Sequence, residues 1–212
     1  MTAMMTREET DAHFTRRLES FSDIVFGLSL SIVGLQLVVP THPVDFFRHP
    51  IGLFGFALSF AVIAMFWIYQ HRMFLYFFFP DRLNIAFMFI KLALIVLIPF
   101  ALQIFLKSSQ DPIAYAMYSG TFGLIMSLNT LTMYRGFKRF WNHFDESFRL
   151  EQWIRWVRVS SIAVIFLVAT VFAPLGERWF VGAFFLLPIS QLIIRRTVRS
   201  IPSFAAKAFS DA

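Results

Sequence analysis

The 212 residues contain no cysteine, so disulfides, thiolate metal sites and cysteine nucleophiles are excluded together. Charge is scarce as well. Asp, Glu, Lys and Arg make up 15% of the chain, against about 25% in a soluble domain. That scarcity, with 58% hydrophobic residues, a mean hydropathy of +0.65 and 29 Phe, rules out a disordered chain. It also rules out a soluble globule, which could not hide so much apolar surface. An integral membrane protein remains. No repeat with a period of 20–50 residues is visible. No motif for hydrolysis, metal ligation or nucleotide binding is present either, so an enzyme is not expected. The five His residues, at 13, 42, 49, 71 and 143, place no ligand pair on one helix face, which argues against a haem protein.

A helix crossing the hydrocarbon needs about 20 mainly apolar residues. Six segments qualify, near 21–39, 51–69, 84–106, 113–134, 157–173 and 179–194. The second is open to extension through Met73 to Phe79, and Pro112 suits the start of the fourth. The expected fold class is therefore an all-α membrane protein with six transmembrane helices. One membrane domain (21–194) lies between an N-terminal tail (1–20) and a basic C-terminal tail (195–212). The first segment starts too late and lacks a small-residue cleavage site, so it does not read as a removable signal peptide.

The cations are distributed unevenly. Arg7, Arg16, Arg17, Arg72, Arg82, Arg135, Lys138, Arg139, Arg149, Arg155, Arg158, Arg195, Arg196, Arg199 and Lys207 fall on one side of the six-span arrangement. Arg48, Lys107 and Arg178 fall on the other, and Lys91 lies within the third span. The positive-inside rule then places both termini in the cytoplasm. The net charge of +6 is a topology signal in a lipid bilayer and not a nucleic-acid footprint. The 135–156 stretch, which mixes Arg, Lys, Glu and Trp at helical spacing, reads as an interfacial segment or as extensions of spans four and five.

Polar groups inside a span are costly and usually functional. At about 100° per residue, Ile24, Leu28, Ser31, Ile32 and Leu35 form one narrow stripe on the first span. Asp23, Gly27 and Gly34 form an adjoining one, whose small residues suit close helix approach. Asp23 is therefore expected to face another helix. By composition alone the aliphatic stripe faces lipid.

Arg17 followed by Phe21, Ser22 and Asp23 at the opening of the first helix resembles the signature of the transmembrane protein 175 family. Trp67 and His71 resemble that family's Trp-x-x-x-His on the second helix. Asn84 opening the third helix and Pro99-Phe100 near its far end extend the likeness, which runs from Arg17 to at least Tyr134. Gly27 departs from it, standing where members often carry Ala or Ser. The resemblance implies a modestly potassium-selective cation channel in a bacterial inner (plasma) membrane, assembled as a homotetramer around a pore lined by the first helix. By position it makes Leu28, Ser31 and Leu35 the pore constriction, with Ile24 and Ile32 also pore-lining. No cofactor is implied; potassium is the permeant ion. No Thr-Val-Gly-Tyr-Gly loop is present, so a carbonyl filter cannot be built. Arg17, Ser22, Asp23, Trp67, His71 and Asn84 are expected to form one hydrogen-bonded network bracing the pore helix. An ion-coupled secondary transporter is the alternative function, although only Pro99 and Pro188 interrupt mid-span. Lys91 is left with two options, snorkelling to an interface or pairing with Asp23 or Asp81.

Overall fold

The computed structural model describes residues 6–35, 50–108 and 111–199. Its helices are α1 (Arg7–Leu35), α2 (Pro50–Tyr76), α3 (Arg82–Lys107), α4 (Pro112–Phe140), α5 (Glu146–Phe172), α6 (Glu177–Phe184) and α7 (Leu186–Arg199). Among the described residues no strand occurs. The all-α membrane architecture expected from the sequence is borne out, with the sixth segment in two pieces.

Local chemistry sets the helix ends. Thr6 and Glu9 cap the start of α1 reciprocally: Glu9 N–H donates to Thr6 Oγ1 (3.3 Å) and Thr6 N–H to Glu9 Oε2 (2.8 Å). That box starts the helix well ahead of residue 21, so much of the expected N-terminal tail is helical. At 1.5 Å per residue the 29 residues of α1 extend about 43 Å, beyond a hydrocarbon core of about 30 Å. Asp81 caps α3 by accepting from Asn84 N–H (2.9 Å), and Asp111 caps α4 from Ile113 N–H (2.8 Å) just ahead of Pro112. Residues 39 and 40, where the sequence ends the first span, lie outside the described residues.

Among the described residues five stretches are long and apolar enough to cross a membrane, in α1, α2, α3, α5 and across α6–α7. α4 falls short because it carries Ser119, Ser127, Asn129, Thr130 and Thr132. It is nonetheless packed between α3 and α5, with Phe122, Gly123, Ile125, Met126 and Met133 buried. Four of its hydroxyls are satisfied without water. Ser119, Ser127, Thr130 and Thr132 each donate to the carbonyl four residues earlier, at 2.7–2.9 Å. The most polar span can therefore occupy the interior.

Two prolines behave differently. Pro99 sits inside an unbroken α3, flanked by the buried residues Ile95, Ile98, Ala101 and Leu102. Pro188 has no N–H to offer the Phe184 carbonyl, and the last segment turns at Phe185. Packing on α3 holds the helix across its lost bond, whereas Phe185, Leu186, Ile189, Leu192 and Ile193 are exposed and supply no such restraint.

The core is a phenylalanine stack. Phe122 on α4 lies 4.9 Å from Phe66 on α2 and 4.0 Å from Phe166 on α5. In lipid, association rests on this packing and on polar contacts, because the tails are as apolar as the side chains. Residues 141–145 join α4 to α5 through a short 3₁₀ turn, so the 135–156 stretch consists of helix extensions with a tight connection.

Candidate pore helix and its polar braces

α1 shows two faces. Leu18, Ser22, Phe26, Ser29 and Val33 recur at helical spacing and are buried against the bundle. The stripe on the opposite side is turned away from it: Ile24 is 68%, Leu28 55% and Leu35 85% exposed, Ser31 is exposed, and Ile32 is half-buried. Gly27 and Gly34 have nothing within 4 Å of where a Cβ would stand. Among the described residues these glycines thus have no helix packed against them. Ser31 Oγ donates to the Gly27 carbonyl (2.9 Å).

The six residues expected to form one network are split. Asp23 does face another helix: Trp67 Nε1–H on α2 donates to Asp23 Oδ1 (2.8 Å). One turn along, His71 stacks on Trp67 (centroids 6.0 Å apart), and its Nδ1 lies 3.4 Å from Glu19 Oε1. Asn84 belongs to a second cluster. It starts α3, beyond the α2–α3 turn, and there it faces α4. Its amide donates to the Phe79 carbonyl (3.0 Å) and its carbonyl accepts from Arg135 Nε (2.9 Å). Arg135 also pairs with Asp81 and lies over the Phe79 ring with Arg139. Arg17 is exposed on α1. Ser22 is buried, but its hydroxyl has no partner among the described residues. It points to the bundle because successive helix residues diverge by about 100°, which separates it from Asp23.

Sequence reasoning missed Glu19, Asp81 and Arg135. Asp81, three residues before Asn84 at a helix start, carried a capping signal. Arg135, on a different helix, carried none. Lys91 takes neither of its two expected routes. It is buried, and Nζ donates to Asn129 Oδ1 (2.8 Å) and lies 3.5 Å from Met73 Sδ. Among the described residues no cluster of three or more His, Asp or Glu could hold a metal.

These features define a helical multi-pass membrane protein whose first helix carries an unpartnered apolar face. Residues 17–99 match the family described as endosomal/lysosomal potassium channel TMEM175. A potassium channel of Chamaesiphon minutus is 28% identical over 153 residues, spanning 64% of this chain and 68% of that protein. Two solved structures share the fold. A lysosomal potassium-selective channel TMEM175 homologue from Chamaesiphon minutus has a TM-score of 0.61 at 21% identity, over 86% of this chain and 98% of that one. A single-substitution variant of the potassium channel MtTMEM175, crystallised with a nanobody–MBP fusion, has a TM-score of 0.69 at 16% identity, over 93% and 95%. The family resemblance read from the sequence is borne out over residues 17–99, and the fold is shared with these two structures over most of the chain's length. These relatives are channels and not enzymes.

Proposed function

We propose that this chain is one subunit of a potassium-selective cation channel, with four copies placing α1 around a central pore. The carrying observation is the two-faced α1: Ile24, Leu28, Ser31 and Leu35 point away from the chain's own bundle, while Asp23 is held on the flank by Trp67. The similarity to potassium channels supports reading this stripe as a pore face and not a lipid face. Gly27 and Gly34, offset from the stripe and open, would then let neighbouring α1 helices approach closely.

A ring of four Leu28 side chains blocks ions by dewetting when narrow and passes them partly dehydrated when wider. Potassium sheds water more readily than sodium, so modest selectivity follows without a carbonyl filter. The hydroxyl proton of Ser31 is committed to the Gly27 carbonyl, so its oxygen can only accept. That polarity suits a cation passing one turn beyond Leu28. The orientation that fits the cation distribution has both termini in the cytoplasm of a bacterial cell.

The test is potassium flux into vesicles holding the purified protein under a potassium gradient. Flux is expected, and Leu28→Ala should raise it several-fold while lowering selectivity over sodium. No flux at any voltage, or unchanged conductance in Leu28→Ala, refutes the assignment.

A further inference from the structure

At the cation-rich end, α2, α4 and α5 leave a recess of about 30 Å³ whose lining includes Tyr69, Arg72, Met73, Asn129, Met133 and Arg155. That volume holds a group the size of one or two water molecules, so a larger ligand would seat one part inside and the rest at the mouth.

Three observations describe what the recess suits. The first is depth. Trp156 Nε1–H donates to the Thr130 carbonyl (3.1 Å), next to Arg155 and Asn129, and Trp156 stacks on Trp153 (5.0 Å) and packs on Tyr134 (5.8 Å). Trp153 and Tyr134 are exposed. Exposed Trp and Tyr on a membrane bundle mark the headgroup level. The second is charge. Arg72 from α2 and Arg155 from α5 flank the recess, and the Lys91 amine lies behind it, bonded to the lining residue Asn129. Among the described residues Arg72 and Lys91 have no carboxylate within 4.0 Å; Arg155 shares its charge with exposed Glu151 at 2.9 Å. The third is the rest of the wall, where the apolar Met73, Phe77, Met133 and Val159 stand beside Tyr69 and Asn129.

A basic rim over an apolar floor at headgroup depth fits a ligand with an anionic head and an apolar body. Free phosphate would use the rim and gain nothing from the floor. We propose that this recess binds an anionic phospholipid of the adjoining leaflet, its phosphate between Arg72 and Arg155 and its first methylenes on Met73 and Met133. An anion seated there also offsets the burial of Lys91, which is costly for a charged group without an opposite charge nearby.

The test is lipid titration of the purified protein in mild detergent, read by native mass spectrometry. Phosphatidylglycerol is compared with phosphatidylcholine of the same acyl chains. Phosphatidylglycerol should bind more tightly, and Arg72→Gln with Arg155→Gln should weaken it roughly tenfold or more, with phosphatidylcholine unaffected. Arg195→Gln with Arg196→Gln, on α7 and outside the lining, should leave both affinities unchanged. If the first pair fails to fold, Arg72→Gln alone, at an exposed position, carries the test with a smaller loss. Equal affinity for the two lipids overturns the site, as does indifference to the Arg72 change. Displacement of phosphatidylglycerol by millimolar inorganic phosphate overturns the lipid in favour of a free anion. The readout needs no ion flux, so it stands whether or not the pore assignment does.

Discussion

Two polar latches lie at the cation-rich end of this bundle, and they are built differently. The first joins α1 to α2 through Trp67–Asp23 and His71–Glu19. It is open to its surroundings: the His71 side chain is 50% exposed, and its closest approach to Glu19 is 3.4 Å. The second closes the α2–α3 turn onto α4. There Asp81 caps α3 and pairs with Arg135, fully buried Asn84 bridges the two, and two guanidinium groups lie over Phe79. Backbone contact reinforces it, since Gly136 sits directly against Phe77. The second latch joins elements whose separation is fixed by close packing. The first holds a helix by one flank and leaves its opposite face bare. We read the α2–α3 turn closed onto α4 as a frame and the α1–α2 latch as a tether, through which the width of the proposed pore would be adjusted.

The frame is where mutation should cost most. A Cβ at position 136 would stand against the Phe77 carbonyl oxygen and 2.6 Å from its Cα, with backbone on both sides and no flexible side chain to yield. Gly136→Ala should therefore destabilise the folded chain by about 3 kcal/mol, at the upper end of overpacking effects. Denaturant unfolding in detergent micelles measures it, and an unchanged midpoint would show that the turn slides freely on α4. Arg135→Gln comes next. Removing one partner of a buried ion pair costs about 3–5 kcal/mol, but Arg135 and Asp81 are each about a third exposed, which brings the expectation to about 2 kcal/mol. Asp81→Asn should cost a similar amount, and the two together less than their sum, because they share one interaction. Strict additivity would mean that Arg135 and Asp81 act separately.

How much of this was legible beforehand depends on whether a signal was local. The membrane class, the Asp111–Pro112 helix start and the two-faced pattern of α1 are written in short stretches, and each has a counterpart in the structure. α4 reads weakly in mean hydropathy, yet hydroxyls that bond their own helix make its polarity tolerable. The joining of Asn84 to Arg135 rather than to His71 was not legible. It depends on which way the chain leaves the α2–α3 turn, and no spacing along the sequence records that direction. Lys91 illustrates the same limit, since its acceptor Asn129 is 38 residues away on another helix and is neutral. The partner of the Gly27 and Gly34 stripe was not legible either, because small residues announce close approach without naming the partner.

The looser latch should respond differently. Trp67→Phe removes the indole N–H bond to Asp23 and keeps most of the ring. The loss of stability should be about 1 kcal/mol, half that of Arg135→Gln. His71→Gln should change stability by less than about 0.5 kcal/mol, because its pair with Glu19 is long and half exposed. The sharper comparison is in ion flux per folded protein. A change in the tether of α1 alters the position of Leu28, which lies five residues beyond Asp23 on the same rigid helix. A change in the frame lowers the amount of folded protein without moving that stripe. Trp67→Phe should thus shift conductance or selectivity while barely moving the unfolding midpoint, and Arg135→Gln should do the reverse. If the two variants shift flux and stability in the same ratio, the latches are one mechanical unit. The tether would then belong to the frame, and control of the proposed constriction would have to be sought on α1 itself.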